Sequence, residues 1–327
     1  MVFCVNWKGR GWAMEQLLVL SGKGGTGKTT VASALIELLG VQACADCDVD
    51  APNLHLALSL TGAERVWTYV GLPRAVIDRD VCTRCGRCLE HCRFGAVTGE
   101  KDGFRVDPFA CEGCGVCEAV CPVGAVRFRD VPAGEGRLVS GDRVFSTARL
   151  FMGHGTTGLL VSRVKEELAG EIPEGMWAVI DGSPGIGCPV IASLKGARVI
   201  LAVTEPSRSG LSDLRRLVDT ARTFGGRLGV CINGSDVSAR LTGEIEGYCS
   251  QAGLPVWGKI PFDPSVPRAQ QEGRSVLSAS PAVREAFSGL ADTLRRVLVE
   301  TDDGEQEQSV QTNLKKKEKT DEDRRSQ

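Results

Sequence analysis

Residues 17–30 read LLVLSGKGGTGKTT, and this stretch decides the fold. An apolar run ends at Ser21, a glycine-rich turn follows it, and a helical pattern begins at about Lys28. The turn fits the phosphate-loop pattern G-x-x-x-x-G-K-[ST], which is informative when it follows a strand and opens a helix, as it does here. The stretch predicts an α/β fold of the P-loop NTPase class, with a mostly parallel sheet covered by helices on both faces.

The residue types in this turn suit the binding of a phosphate chain. Glycines let backbone N–H groups face an anion without a clash from Cβ, and the helix N-terminus adds partial positive charge. Lys28 is expected to reach the β- and γ-phosphates of ATP, and the Thr29 hydroxyl to bind Mg²⁺. The predicted nucleotide-binding residues are Gly22, Lys23, Gly24, Gly25, Thr26, Gly27, Lys28, Thr29 and Thr30.

Carboxylates are expected at the same edge of the sheet. Asp46, Asp48 and Asp50 come at the end of a predicted second strand, and Asp181 ends the apolar run 177–181. The carboxyl ends of parallel strands face the ligand crevice, where carboxylates hold Mg²⁺ and orient an attacking water. The alternative, that these are solvated or capping residues, is strongest for Asp50.

The cysteines indicate an inserted module. Eight of the 14 form two runs with the spacing C-x2-C-x2-C-x3-C, and Cys111 begins the second run 29 positions after Cys82 begins the first. This spacing is typical of bacterial ferredoxins with two [4Fe–4S] clusters, in which the fourth cysteine of each run binds the other cluster. Cluster one is thus predicted to use Cys82, Cys85, Cys88 and Cys121, and cluster two Cys111, Cys114, Cys117 and Cys92.

Zinc and disulfides are the weaker explanations of these runs. Zinc sites use four ligands, commonly two pairs of cysteines, and disulfides belong to exported chains, whereas no signal peptide is recognisable here. Cys44 and Cys47 form a separate pair in a predicted buried strand, where we expect them to pack on opposite faces rather than to act as a redox pair. The role of Cys188 stays open.

The order of these features predicts the domain organisation. Residues 1–13 are expected to be a disordered extension, with the natural start at Met14, and residues 14–75 the first part of an ATPase domain. An inserted α+β ferredoxin-like domain is expected over 76–131, the second part of the ATPase domain over 132–300, and a disordered charged tail over 301–327.

Composition limits the partners. The chain has 327 residues, with 39 basic and 41 acidic side chains and a formal net charge of −2. This balance gives no electrostatic reason to expect nucleic acid as a partner. No apolar run approaches the roughly 20 residues that span a bilayer, and the tail shows no apolar stripe. We therefore expect a cytoplasmic protein that binds neither nucleic acid nor membrane.

Several motifs together resemble one superfamily. These are the loop with its extra lysine Lys23, DCDVDAPN at 46–53, the two cysteine runs, DGSPGIGCP at 181–189 and TEP at 204–206. They are similar to MinD/ParA deviant Walker A ATPases with an inserted two-cluster ferredoxin domain. The resemblance implies an ATP-dependent homodimer in which Lys23 reaches the partner's nucleotide. The alternative is that Lys23 aids phosphate binding in its own chain.

The resemblance also implies roles for residues outside the loop. Asp48 would position the attacking water, and Asp181 would be the Walker B residue on Mg²⁺. Asn233 would contact adenine, although Gly234 stands where the family often has arginine, and Pro261 belongs to a late loop near the base. Lys23, Lys28, Asp48 and Asp181 are therefore the predicted catalytic residues.

Three functions remain open on this basis. The first is a slow, partner-stimulated ATPase that couples nucleotide state to electron transfer through two [4Fe–4S] clusters, with a redox partner. The second is an ATP-dependent assembly factor or carrier that serves a metalloprotein client. The third is a spatial organiser like the cell-division and partition members of the superfamily.

Overall fold

The computed structural model describes residues 14–301. The predicted extension over 1–13 and the predicted tail from residue 302 onward lie outside the described residues. Residues 281–301 are helical, so Thr301, expected to begin the tail, ends the described part of a helix.

The strands alternate with helices along most of the chain. The strands are β1 (Glu15–Ser21), β2 (Ala43–Asp46), β3 (Ala63–Val70), β4 (Arg74–Ile77), β5 (Val97–Glu100), β6 (Gly103–Val106), β7 (Val126–Arg129), β8 (Pro132–Ser140), β9 (Val144–Leu150), β10 (Trp177–Asp181), β11 (Val199–Thr204), β12 (Arg227–Asn233) and β13 (Val256–Ile260). The helices are α1 (Lys28–Leu39), α2 (Leu54–Ala57), α3 (Arg87–Glu90), α4 (Val116–Ala119), α5 (Thr157–Glu171), α6 (Cys188–Leu194), α7 (Arg208–Arg222), α8 (Ala239–Gln251), α9 (Ser265–Gln271) and α10 over 281–301, with a 3-10 turn at Val276–Ser278 between the last two.

The main sheet has nine strands in the order β13-β12-β11-β1-β10-β2-β9-β8-β3. Every neighbouring pair from β13 to β9 is parallel, which confirms the prediction of a mostly parallel sheet. β8 and β3 extend it as antiparallel strands. The sequence did not predict this extension because β3 is exposed along most of its length and so lacks an apolar pattern.

Both faces of the parallel sheet are buried. Leu18 and Leu20 of β1 belong to a core shared with α5 and α7, whereas Leu17 and Val19 belong to a second core shared with α1 and α10. Successive side chains of a strand point to opposite faces, so a strand covered on both sides reads as a continuous apolar run. This double burial is why residues 17–21 could be recognised as a strand.

Residues 74–129 form a small unit outside the main sheet. β4 pairs with β7 and β5 with β6, both antiparallel, and α3 and α4 are single turns. The unit has its own core of Ala75, Cys88, Val97 and Val126. The predicted start of the insert, residue 76, falls within β4.

The unit enters and leaves the domain of the main sheet at one place. Val70 of β3 pairs with Pro132 of β8, and Arg74 of β4 pairs with Arg129 of β7. The two connecting segments therefore run side by side from the β3–β8 hairpin. Between residues 14 and 301, no helix combines the length and the apolar character that a bilayer span requires.

Candidate functional site

The phosphate loop lies between β1 and α1, and Lys28 is the first residue of α1, as predicted. Gly25 and Gly27 have φ values of 82° and 86°, in the left-handed region that residues other than glycine rarely adopt. A Cβ added to Gly27 would lie 2.2 Å from Nδ2 of Asn233. The loop therefore has no room for a side chain at this position.

A buried ion pair joins the loop to the end of β10. Lys28 Nζ lies 2.6 Å from Asp181 Oδ1, and Thr29 Oγ1 donates to Asp181 Oδ2 at 2.7 Å. Lys28 is 6% exposed and Asp181 is fully buried. The lysine and the threonine predicted to bind phosphate and Mg²⁺ thus contact the predicted Walker B carboxylate directly.

Asp46 and Asp48 lie next to this pair. Asp46 accepts backbone N–H groups from Asp48 at 3.0 Å and from Asn53 and Leu54 at 2.8 Å each. Burial and the neighbouring charge of Asp181 raise the pKa of Asp46. Burial also raises the pKa of Asp48, against the nearby positive charge of Lys28. The motif at 46–53 therefore fixes one carboxylate by backbone bonds and leaves the other half-buried beside the phosphate loop.

Lys23 is held by residues at the start of α7. Its Nζ donates to Glu205 Oε1 at 2.7 Å and to Ser209 Oγ at 2.8 Å. The pair is partly exposed, at 31% for Lys23 and 34% for Glu205. Lys23 is thus bound within its own chain in this state.

Two side chains from distant segments hydrogen-bond to the loop and to the start of α1. Asn233 Nδ2 donates to the backbone oxygen of Thr26 at 2.9 Å, and Gln270 Nε2 donates to Thr30 Oγ1 at 3.0 Å. Pro261 follows β13, where Ile260 O accepts the N–H of Ser235, beyond the end of β12. The roles of Asn233 and Pro261 at adenine stay predictions.

The eight cysteines of the two runs border two small cavities in the inserted unit. Cys82, Cys85, Cys88 and Cys121 line one cavity, together with Phe104. Cys92, Cys111, Cys114 and Cys117 line the other, together with Phe128. Each cavity thus takes three thiols from one run and the fourth from the other run.

The chemistry of these thiols suits a cationic iron cluster. Burial raises the pKa of Cys92 and Cys121, but backbone N–H groups of the residues that follow them outweigh it and lower the pKa overall. Burial and the neighbouring thiols Cys111 and Cys114 raise the pKa of Cys117 to about 11. Binding of iron would displace the thiol protons and balance the negative charge of the thiolates that form. Within residues 14–301, no three His, Cys, Asp or Glu side chains are arranged to hold a single metal ion.

Three of the other five described cysteines lie near the phosphate loop in sequence or follow Asp181. Cys44 and Cys47 are fully buried in the two opposite cores, and burial raises the pKa of each to about 12. This agrees with the expectation that they are packing residues. Cys188 is exposed at the start of α6, directly after the loop that follows Asp181.

Two residues of the site were not assigned roles from the sequence. The pairing of Glu205 with Lys23 spans 182 positions, so no local pattern reveals it. Arg74 lies beside Cys111 of the inserted unit, with its Nη1 donating to Cys111 O at 2.7 Å. An alignment of the two cysteine repeats would have singled out Arg74, since Gly103 occupies the matching position 29 residues later.

The profile of the CbiA family, described as the CobQ/CobB/MinD/ParA nucleotide-binding domain, matches residues 17–276. The chain belongs to this family. The match begins at β1 and runs past α9, so it covers the phosphate loop, Asp48, Asp181 and Asn233. Nucleotide binding by a P-loop of the MinD/ParA type is therefore the activity that the family assigns to this fold.

Relatives within and beyond the CbiA family match along different lengths. An uncharacterized protein of Methanocaldococcus jannaschii is 27% identical over 291 residues, covering 86% of this chain and 97% of that protein. A cytosolic Fe-S cluster assembly factor, the Nubp1 homolog of Drosophila ananassae, is 24% identical over 303 residues, covering 86% and 81%. A 7Fe ferredoxin of Hydrogenibacillus schlegelii is 40% identical over 48 residues, covering 15% and 62%.

Solved structures agree on the fold of this CbiA member. The septum site-determining protein MinD from Pyrococcus horikoshii, complexed with Mg-ADP, aligns with a TM-score of 0.51 at 18% identity. The alignment covers 88% of this chain and 98% of that one. At this identity the likeness concerns the fold alone.

Proposed function

We propose that this chain is an ATP-hydrolysing iron–sulfur protein that couples the state of its nucleotide to electron transfer through two [4Fe–4S] clusters. The observation that carries the proposal is the sorting of eight cysteines into two cavities, three from one run and one from the other in each. The unit that holds them has both ends in a nucleotide-binding domain. The short match to a 7Fe ferredoxin supports iron as the metal.

The ATP half of the proposal follows from the buried ion pair. Lys28 is bound to Asp181 and must exchange this carboxylate for the phosphates when ATP enters. Asp181 and Thr29 are then free to take Mg²⁺, and Asp48, which feels the charges of Lys28 and Asp181, is assigned the water-orienting role. The loop after Asp181 leads directly into α6, so this exchange provides a reason for that loop to move.

The cluster half assigns the cysteines a permanent role. When bound, each cluster would accept and donate one electron at a time, and an external one-electron carrier would supply the electrons. Backbone N–H groups favour the thiolate form of Cys92 and Cys121, which is the form that binds metal. Phe104 and Phe128 add apolar surface to the linings of the two cavities. Solvent exclusion and N–H donors near sulfur are two of the factors that set a cluster's potential.

The active form in this proposal is a homodimer that forms with ATP. Lys23 is partly exposed, and its contacts among residues 14–301 are a salt bridge and one hydroxyl, so it can be released towards a second copy of the chain. Hydrolysis is expected to be slow in the free protein and faster with the redox partner.

An anaerobic redox titration followed by EPR tests the coupling. We expect about eight irons per chain and a midpoint potential that changes when Mg-ATP is added to the wild type. The Lys28→Ala variant should keep the iron and lose both ATP binding and the change in potential. Zinc or no metal in the purified protein would disprove the cluster assignment. Unchanged potentials with proven ATP binding would disprove the coupling.

The match to an Fe-S cluster assembly factor favours a second candidate function. In that case the protein would deliver iron–sulfur or metal cofactors to a client in an ATP-dependent step. Anaerobic incubation of ⁵⁷Fe-loaded protein with an apo-ferredoxin separates the two functions. ATP-dependent movement of iron to the acceptor supports delivery. Retention of all iron through this incubation and a chelator challenge supports electron transfer.

A further inference from the structure

The two cysteine sites are built by one repeat but differ in a buried charge. β4 and β6 are related by the 29-residue offset of the cysteine runs, and so are β5 and β7. In this alignment Arg74, the first residue of β4, corresponds to Gly103, the first residue of β6. One site therefore has a guanidinium at a position where the other has only a hydrogen atom.

Arg74 lies directly behind the cavity that Cys111 and the next residue, Ala75, line. It is 9% exposed, and its Nη1 donates to the backbone oxygens of Cys111, at 2.7 Å, and Pro108. The N–H of the next residue, Ala75, points at Cys111 Sγ at 3.5 Å. The cation is thus fixed beside a predicted ligand of cluster two.

The other charges of the two cysteine runs lie at the surface. The first run carries Arg84, Arg87 and Glu90 and the second carries Glu112 and Glu118, and all five are exposed. Water and salt screen exposed charges strongly and buried charges much less. The field of Arg74 at cluster two is therefore weakened less than the fields of these surface charges.

The same guanidinium touches the ATPase domain. Arg74 Nη2 lies 3.3 Å from Nδ1 of His154, in the loop 151–156 between β9 and α5. A second contact supports this one, because a Cβ added to Gly153 would lie 2.8 Å from the ring of Phe109 in the inserted unit. The loop 151–156 is thus a surface on which the unit rests.

This loop is joined to the segment that follows Asp181. Thr156 ends the loop with φ at 72°, and its Oγ1 accepts the hydroxyl of Tyr69 at 3.0 Å. Gly158, in the first turn of α5, packs against Cys188, where an added Cβ would lie 3.1 Å from the backbone oxygen. Cys188 opens α6 directly after the loop from Asp181. Two chain segments, 181–188 and 154–158, and the contacts between Gly158 and Cys188 and between His154 and Arg74 therefore connect Asp181 with Arg74.

We propose that Arg74 raises the reduction potential of cluster two and, through His154, makes that potential depend on the bound nucleotide. The inference rests on the proposed two-cluster function and names the residue that would regulate it. An added electron makes a cluster more negative, so a fixed cation beside it stabilises the reduced form. A displacement of the loop 151–156 would shift His154 and with it the guanidinium.

The test compares two variants that remove the same charge. Arg74→Gln removes the buried cation, and Arg129→Gln removes the exposed arginine directly opposite it on β7. The full chain is purified anaerobically and titrated with dithionite and mediators under EPR, with signals assigned by Cys85→Ser and Cys114→Ser. We expect Arg74→Gln to lower the reduction potential of cluster two relative to that of cluster one. At a fixed solution potential, the ratio of reduced to oxidised cluster two should fall at least tenfold, which corresponds to 59 mV for one electron. Arg129→Gln should leave the difference unchanged.

His154→Ala tests the link to the nucleotide. We expect it to keep the ATP affinity and the nucleotide-free potentials of the wild type, but to lose the ATP-dependent shift at cluster two. If Arg74→Gln fails to assemble cluster two, Arg74→Lys replaces it. The lysine keeps the charge, so the nucleotide-free potential should stay near the wild-type value.

The outcomes separate this inference from the function on which it rests. An iron-replete Arg74→Gln protein with unchanged potentials overturns the inference alone, as does an ATP-dependent shift that persists in His154→Ala. For an Arg74→Lys protein with intact clusters, a potential far from the wild-type value overturns it too. Wild-type protein without iron overturns both the function and the inference.

Discussion

Lys23 of the phosphate loop forms an ion pair with a carboxylate of its own chain. Glu205 and Ser209 bind its amine at 2.7 and 2.8 Å, and Glu205 also accepts the hydroxyl of Ser207. A partly exposed ion pair of this kind contributes up to about 1 kcal/mol. In the monomer this contact therefore holds the Lys23 side chain weakly enough for it to be displaced.

Loss of this contact should favour the ATP-bound dimer. In Glu205→Gln, Lys23 loses its charged partner. We expect the dissociation constant of the dimer formed with Mg-ATP to fall about twofold to fivefold, because the lost ion pair contributes less than about 1 kcal/mol to the separate chain. Sedimentation velocity over a range of protein concentrations measures this. Glu246→Gln is the control, since it breaks another Lys–Glu pair, the more exposed one with Lys259. A dimer that is unchanged or weaker in Glu205→Gln would contradict the idea.

The contrast between Lys28 and Lys23 explains what the sequence could predict at this scale. Lys28 and Thr29 follow from a local motif, because the loop and the start of α1 fix their positions. The partners of Lys23 come from a segment 182 positions away and depend on how β11 lies beside β1. Such a contact follows from the topology of the sheet and has no local pattern.

At the scale of elements, Lys165 of α5 closes the C-terminal end of α6. Its Nζ donates to the backbone oxygens of Ser193 at 2.8 Å and Lys195 at 2.6 Å. The last carbonyls of a helix lack partners within the helix, and a cation there is favourable. Because α6 begins after the loop from Asp181, Lys165 anchors the far end of the helix that this loop would move.

The burial of Lys165 predicts a pH dependence of stability. Burial lowers its pKa from 10.5 to about 8. Between these values the unfolded chain binds more protons than the folded one, so this group makes the free energy of unfolding rise with pH, by up to about 1.4 kcal/mol per pH unit. Lys165→Met should lack this contribution. Denaturant unfolding should be measured at pH 7.5, 8.5 and 9.5. The free energy of unfolding of the wild type should increase relative to that of Lys165→Met as the pH rises.

Lys101→Met is the control for this measurement, because Lys101 is exposed in the turn between β5 and β6, whereas the charge of Lys195 itself lowers the pKa of Lys165. Its stability should run parallel to that of the wild type across the pH range. Parallel curves for Lys165→Met as well would mean that the buried amine titrates as it does in the unfolded chain.

Elements differed in how well the sequence predicted them. β10 has the predicted bounds because it is buried on both faces and so reads as an apolar run. The antiparallel strands β3 and β8 were missed, since β3 is largely exposed and β8 contains Gly134 and Gly136. Gly136 has a packing reason, as a Cβ there would lie 2.0 Å from the ring of Trp67. A packing reason of this kind is visible only in the folded chain.

At the scale of the molecule, the two cysteine runs are interlocked. Cys121 lines the cavity of the first run and Cys92 that of the second. We expect Cys121→Ser to alter the same EPR signal as Cys85→Ser, and Cys92→Ser the same signal as Cys114→Ser. Spectra of the four reduced variants decide this. If Cys121→Ser instead altered the signal that Cys114→Ser alters, each run would bind its own cluster.

The inserted unit is attached to the ATPase domain in a way that predicts it can be removed. Its entering and leaving strands pair at Arg74 and Arg129, and the hairpin beneath it is already closed by the pairing of Val70 with Pro132. Both cores of the main sheet consist of residues outside 74–129. Replacing residues 74–129 with a short Gly-Ser linker should therefore leave the ATPase fold intact.

We expect this excised protein to unfold cooperatively, to bind Mg-ATP with an affinity within about threefold of the full chain, and to contain no iron. Calorimetric titration and metal analysis measure these properties. Excision breaks the packing of Arg74 on His154 and of Phe109 on Gly153, and both of these partners lie in a loop rather than in the cores. If the excised protein failed to fold, the unit would be part of the ATPase core. If it bound ATP much more tightly, the unit would restrain the nucleotide site in the resting state.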